Sequence, residues 1–434
     1  MTRDKPVPAS RLRRLGQFGG LAAGLAGNVA RQGMGDLLRG NRPHLSDLLL
    51  TPANALRLTD HLAEMRGAAL KLGQLLSMDT GDFIPPELTQ ILARLRAEAD
   101  PMPDAQLRQV LVSGLGADWT KQLSAFDARP IAAASIGQVH RARALDGRDL
   151  AIKLQYPGIA QSIDSDVANV ALLLRSTGLV PRHIDLAPLL AEAKSQLHDE
   201  ADYRREARFM ARYAGLLSDD PDFTVPETLP ELSSAAILAM TFKPGVPIEQ
   251  VAALPQAERD RVAQRLMRLV LRELFEFGVM QSDPNLANYR YEPATGQIVL
   301  LDFGAARTVS APIAQFYRAL LSAGVSGDQA AMHSALQDFG MFDASTGAAH
   351  VAAVSQLFSA ITQPLLNQGP FDFGDPGFLQ SMRQKALDIA ADRGNWRLPP
   401  AEVFFVQRKI GGTYQLAAKL RARVDVGALL APYL

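Results

Sequence analysis

Two acidic residues and an asparagine stand at spacings suited to phosphoryl transfer in the stretch from Gly278 to Gly304, GVMQSDPNLANYRYEPATGQIVLLDFG. Asp283 and Asn288 lie five positions apart, and Asp302-Phe303-Gly304 begins 14 positions after Asn288. A nucleoside triphosphate is crowded with anionic oxygens. Moving its terminal phosphoryl group calls for a divalent metal, and hard Mg²⁺ takes carboxylate and carbonyl oxygen rather than sulfur or imidazole. Asp302 and Asn288 are the candidate metal ligands, and Asp283 the candidate base or water-orienting carboxylate. Gly304 permits the turn out of the strand that aims Asp302 inward. Asp283-Pro284-Asn285 alone reads as an ordinary turn and Asp302 alone as a strand-end acid; both motifs in this order are specific.

The elements around these residues have matching patterns. Arg261 to Phe277 reads as a helix leading into the loop, and Ile298 to Leu301 as a short apolar strand leading into Asp302. From about Phe126 the chain becomes strand-like. RPIAAASIGQVHRARALDGRDLAIKLQYPG gives two apolar runs joined at Asp146-Gly147, the second carrying Lys153. Protein kinases place a glycine-rich loop over the phosphates just ahead of such a strand, whose lysine pairs with phosphate and with a helix glutamate. Here the loop is Ala132-Ala133-Ala134-Ser135, with only Gly137 left. Each alanine disfavours positive φ, so this loop is expected to hold nucleotide differently.

Gln161 to Leu190 reads as helical, and Ala191 to Ala214 as a further helical run containing Glu200, Asp202 and Glu206. Six positions on one helix separate two directions by roughly a third of a turn, so Glu206 can reach Lys153 while Glu200 faces another partner. The plainer reading is a solvated charged face shared with Arg204, Arg205 and Arg208. Pro226 to Gly245 reads as two strands and a turn. Ala239-Met240-Thr241 would be the hinge whose backbone meets adenine, unless it is simply a core strand.

Residues 1 to 42 carry eight Lys/Arg against Asp4 and Asp36, a net charge of +6, around FGGLAAGLAGNVA. They fit a segment lying on an anionic membrane or packing through Gly20 and Gly24, a flexible tail, or a targeting peptide. Leu45 to Asp100 reads as helices broken at Pro85-Pro86 and includes Lys71-Leu72-Gly73-Gln74. Lys71 and Gln74 share a face, which by spacing alone suits a solvated surface; Gly73 in mid-helix hints at close packing. After Ser310 the chain reads as helical to its end. Over all 434 residues Lys+Arg (45) balances Asp+Glu (45), so no global charge points to nucleic acid. The chain has no cysteine, its seven histidines lack ligand spacing, and no uninterrupted apolar stretch has membrane-spanning length.

KLGQ at 71–74, AAAS at 132–135, AIK at 151–153, EAD at 200–202 with Glu206, QSDPNLAN at 281–288 and LLDFG at 300–304 together resemble the UbiB-type atypical kinase-like family. IAAASIGQVHRA, LQYPGIAQSIDSDV, LRELFEFGVMQSDPN and PFDFG at 370–374 look most like its coenzyme-Q branch. The likeness runs from about Leu45 to the C-terminus. It implies an α+β, bilobal protein-kinase-like fold with an N-terminal helical extension carrying KxGQ and a mostly helical C-lobe. The expected segments are a basic tail at 1–44, the extension at 45–125, an N-lobe at 126–242 and a C-lobe at 243–434. Lys153 would pair with Glu206, Lys71 with Glu200 of the ExD motif that ends at Asp202, and Asp302 and Asn288 would bind Mg²⁺, with Asp283 at the catalytic position. Ala132 to Ser135, Lys153 and Met240 would meet ATP or ADP. Gln281-Ser282 replaces the His-Arg of ordinary kinases, and Thr241 an acidic hinge residue.

The function so implied is ATP- and Mg²⁺-dependent kinase or ATPase chemistry supporting ubiquinone biosynthesis, cytoplasmic and peripheral on the inner face of a bacterial membrane. Its partners would be quinone-biosynthesis proteins or a lipid-like substrate, and no nucleic acid. The rivals are a nucleotide-sensing scaffold and a conventional protein or small-molecule kinase. The metal ligands argue against the first, and the alanine loop with KxGQ against the second.

Overall fold

The computed structural model describes residues 102–134, 136–176, 187–342, 346–366, 369–390 and 401–434. They fall into two compact units: the described residues up to Ala211 with Glu227–Phe242, and Arg212–Pro226 with Lys243–Leu434. The basic segment 1–44 and the helical run through Asp100 lie outside the described residues.

The first unit is built on an antiparallel sheet of β1 (Leu123–Ala133), β2 (Gly137–Ala144), β3 (Asp149–Gln155) and β4 (Ile237–Thr241), hydrogen-bonded in that order. The β2–β3 turn contains Asp146-Gly147, with Gly147 at φ +89°, the left-handed geometry that an Asp-Gly hairpin supplies. Along β3 the strand period separates two faces. Leu150, Ile152 and Leu154 are fully buried in the core, while Ala151, Lys153 and Gln155 project to the other side. Four helices accompany the sheet: α1 (Asp104–Leu115), α2 (Ile159–Ser176), α3 (Ala187–Glu200) and α4 (Tyr203–Leu216), the unit boundary falling within α4.

Two expectations are corrected here. The run Ala191 to Ala214 is not one helix, because Asp202 caps the start of α4 by accepting the Arg204 and Arg205 N–H groups, each at 3.0 Å. Glu200 therefore ends one helix and Glu206 sits in the first turn of the next, and the third-of-a-turn relation does not apply. Pro226 to Gly245 holds β4 but no full partner strand: only an isolated bridge joins Thr228 to Met240, and Pro230–Leu232 is a 3₁₀ turn. Pro226 and Pro230 have no N–H to donate to a ladder.

In the second unit, α5 (Gln256–Arg272) ends in one π-helical turn, Glu273–Phe277, closed by Gly278 at φ +58°. A small sheet follows, in which the two-residue strand Phe223–Thr224, then β8 (Gln297–Leu300), β7 (Tyr289–Glu292) and β5 (Val246–Pro247) are neighbours in that order. Its pairing of Phe223 with Ile298 places the Arg212–Pro226 segment with this unit. A two-stranded ribbon pairs β6 (Val279–Gln281) with β9 (Ala306–Thr308). The remaining helices are α6 (Ala311–Ser326), α7 (Gln329–Asp338), α8 (Ala348–Leu366), α9 (Pro376–Ala390), α10 (Ala401–Leu420) and the short α11 (Val426–Leu430), with β10 (Phe371–Asp372) pairing β11 (Arg423–Val424). Val270, Met280, Ile313, Leu320, Val403 and Val406 belong to one buried apolar cluster, which holds α5, β6, α6 and α10 together.

Candidate active site

Lys153 comes from β3 with its side chain only 9% exposed, and its Nζ lies 2.9 Å from both carboxylate oxygens of Glu206, which is fully buried. The first turn of a helix favours a negative charge, so the cap at Asp202 both ends the irregular link and places Glu206 where its carboxylate is welcome. Gln155, two residues along the same face of β3, donates to the Ala201 carbonyl at 3.0 Å and so ties the strand to this link. The Lys153 ammonium also lies 5.2 Å from the centre of the Tyr203 ring.

The alanine-rich stretch is a strand end rather than a free loop. Ala132 and Ala133 are the last residues of β1, and the Ala134 N–H donates to the Gly137 carbonyl at 2.9 Å to close the turn into β2; Ser135 lies outside the described residues. The surviving glycine has a structural reason: a Cβ on Gly137 would overlap the Leu154 carbonyl on the neighbouring strand. Lys71 and Gln74 also lie outside the described residues, and Glu200 is buried at the end of α3. The segment expected to meet adenine is the end of β4. Leu229 N–H donates to Ala239 O, Thr241 N–H donates to Glu227 O, and Met240 is buried in register with Ala151. Sheet pairing occupies the Thr241 N–H and the Phe242 N–H, which donates to Asp149 O, so these two donors are not open to a base.

In the second unit the loop after β6 is pinned at several points. Ser282 donates through Oγ to the Ala305 carbonyl at 2.8 Å. Asn285 caps a 3₁₀ turn at Leu286–Asn288. Asn288 Nδ2 donates to the Asp283 carbonyl at 3.2 Å, which turns its Oδ1 the other way, and the Asn288 carbonyl accepts from Leu301 N–H at 3.0 Å. Asn288 is thereby held beside the strand end that carries Asp302. The Asp302 Oδ1 accepts from Gly304 N–H at 2.9 Å, and Phe303 is buried against Tyr213, ring centres 4.8 Å apart. Asn288, Asp302 and Gln281 line one small cavity; Gln281 is buried, and among the described residues neither amide atom has a hydrogen-bond partner.

Behind this loop lies a buried polar layer that motif reading missed. Glu273 Oε1 accepts from the Tyr213 hydroxyl at 2.6 Å and from Gln281 N–H at 3.1 Å, and Lys409 Nζ reaches Glu273 Oε2 at 3.5 Å and the Tyr289 hydroxyl at 2.7 Å. Burial, the largest single influence, would lower the Lys409 pKa, but the charges and hydrogen bonds of Glu273 and Tyr289 together outweigh it and hold the ammonium above its ordinary value. Burial, followed by the Glu273 charge, pushes the Tyr213 phenol well up. Arg408 donates to Ser282 from the same helix as Lys409. The available signal was an acid inside the apolar run VLRELFEF and a charged pair inside VFFVQRKIGG.

The second Asp-Phe-Gly, at 372–374, repeats the turn, with Gly374 N–H donating to Asp372 Oδ1 at 2.9 Å. Its aspartate pairs instead with exposed Arg423 at 3.2 Å, and its phenylalanine packs on Tyr414, so it is a structural corner. Among the described residues no group of three or more His, Cys, Asp or Glu side chains could hold a metal.

Comparison with known proteins identifies the family and the fold. The ABC1 atypical kinase-like domain matches residues 94–336. Atypical kinase COQ8B, mitochondrial, of Rattus norvegicus is 38% identical over 429 residues, covering 98% of this chain and 80% of that protein. Atypical kinase COQ8, mitochondrial, of Saccharomyces cerevisiae is 37% identical over 433 residues, covering 98% and 85%. Among solved structures, the Rv3197–erythromycin complex of Mycobacterium tuberculosis shares the fold, with a TM-score of 0.61 at 23% identity over 88% of this chain and 95% of that one. With 37–38% identity to these relatives over nearly the whole chain and the family domain spanning both units, the chain belongs to the ABC1 atypical kinase-like family, the UbiB-type family that its motifs resemble.

Proposed function

We propose that this chain is an ATP- and Mg²⁺-dependent atypical kinase or ATPase supporting ubiquinone biosynthesis at a membrane surface. The observation that carries the chemistry is the tie between Asn288 and the Asp283 carbonyl, with the Asn288 carbonyl bonded to Leu301 next to Asp302. These bonds support a reading in which Asp302, Asn288 and Asp283 act together in the second unit. The donor set fits Mg²⁺, which takes hard oxygen and usually keeps waters and substrate phosphates, so a dense cluster of acids is not required. Asp302 and Asn288 would hold the ion, and Mg²⁺ when bound would neutralise phosphate oxygens. Asp283 would orient the acceptor hydroxyl or water and accept its proton. Lys153, held by Glu206, would meet the nucleotide phosphates, and the alanine-rich β1–β2 turn would limit how closely backbone approaches them.

The quinone assignment rests on the relatives, and a lipid-like acceptor or quinone-biosynthesis protein is the partner it calls for. Membrane attachment would come from the basic segment 1–44 on the inner face of a bacterial membrane. Among the described residues no helix is long and apolar enough to cross one. The test is Asp302→Asn, which removes the carboxylate of the metal pair. Mg²⁺-dependent ATP turnover should fall to background, and the variant should not restore quinone to a deletion strain. Wild-type turnover by the purified variant would end the metal assignment.

A further inference from the structure

We infer that helix α10 supplies the positioning residue for the proposed catalytic aspartate, with Arg408 holding the Asp283 loop in its working geometry. The inference rests on the proposed role of Asp283. Ordinary kinases place an arginine immediately before that aspartate. Here Ser282 occupies the place, and a guanidinium arrives from 126 residues along the chain. Arg408 is buried, and its Nε and Nη2 donate to the Ser282 carbonyl at 3.0 and 2.9 Å. That carbonyl belongs to the peptide group joining Ser282 to Asp283. A fork of two donors fixes the plane of this group, and through it the direction in which the Asp283 side chain leaves the backbone.

Two neighbours of Arg408 reinforce the contact. One turn along α10, Gly412 lies against Pro284, where a Cβ would overlap the proline ring. Lys409, next to Arg408, meets Tyr289 at the far end of the loop through the 2.7 Å bond to its hydroxyl. A single stretch of helix therefore touches the loop just before Asp283, just after it, and beyond Asn288. On its other side Ser282 is held by Ala305, so the aspartate is set between the segment after Asp302 and α10. Arg408 touches no reacting atom in this arrangement. It acts through the peptide plane, so its loss should lower the rate of the chemical step more than the affinity for nucleotide.

The test uses the full chain. For Arg408→Gln, kcat for ATP turnover should fall roughly 100-fold, the effect of about an ångström of misplacement, with KM and nucleotide affinity within about threefold of wild type. Arg408→Ala should regain turnover when millimolar guanidinium is added, far below denaturing concentrations, since the small cation can occupy the vacated site. Gly412→Ala should lower kcat in the same way without removing any charge. Wild-type kcat in Arg408→Gln would overturn this inference while leaving the metal-site reading intact. Equal loss of kcat, nucleotide affinity and melting temperature, with no guanidinium rescue, would reduce Arg408 to a packing residue and also overturn it. No ATP turnover by the unmodified chain would overturn the parent reading, and this inference with it.

Discussion

Replacing Lys153 with methionine should cost the first unit about 3–5 kcal/mol at pH 8, because it strands the Glu206 carboxylate in the interior. The two charges attract by about 6 kcal/mol at 2.9 Å in an effective dielectric of about 20, which is comparable to the desolvation that burying them entails. The intact pair is thus close to balanced, whereas half of it is not. The stranded acid has a way out, since it can take up a proton. In the variant its folded-state pKa rises above the ordinary 4.3 or so, which makes the penalty small near pH 5, growing with pH and levelling off above the raised pKa. Adding Glu206→Leu should remove most of the loss, because an apolar pair of similar bulk replaces a buried ion pair at little cost. Native-state hydrogen exchange at β3 and α4 amides reads this unit by itself. A penalty that does not change between pH 5 and pH 8, or a double variant no more stable than Lys153→Met, would refute the reasoning.

Asp202→Ala should destabilise the start of α4 by about 1 kcal/mol, since it removes the acceptor for two first-turn N–H groups, and should weaken ATP binding by loosening Glu206; exchange at Arg204 and Arg205 checks the first and nucleotide titration the second. His140 is fully buried, and burial holds its pKa down against the pull of the Asp127 carbonyl. Its ring is fixed neutral, because Nδ1 donates to Asp127 O while Nε2 accepts from Gln138, whose Oε1 takes the Met102 N–H. A depressed histidine favours folding above its unfolded pKa and loses that contribution as pH falls. Stability should therefore decline below about pH 6.5 by up to about 1.4 kcal/mol per pH unit, a component that melts of His140→Asn should lack. Changing Ala133 and Ala134 together to glycine should alter the ATP/ADP preference by freeing the β1–β2 turn, and unchanged titration curves would place the phosphates elsewhere.

The parts of this site that were legible in the sequence are those whose chemistry and geometry both lie within a short stretch. Asn288 and Asp302 stand at the two ends of one short hairpin, β7 and β8, so their spacing in the sequence is already suggestive, and the Asp-Gly turn announces the β2–β3 hairpin that presents Lys153. The helix break before Glu206 was hidden because AEAKSQLHDEADYRREARFM favours helix throughout, and only the hydrogen bonds to Asp202 show that the acid caps rather than continues it. Arg408 and Lys409 were hidden for the opposite reason. In VFFVQRKIGG a charged pair reads as the wet side of an amphipathic helix, and periodicity cannot tell a polar face turned to water from one turned to a buried carbonyl and a buried acid. Glycine was the cue. A mid-helix glycine costs up to about 1 kcal/mol relative to alanine, so Gly412 calls for something packed against it. For Gly412 that neighbour is Pro284, one residue from the proposed catalytic aspartate.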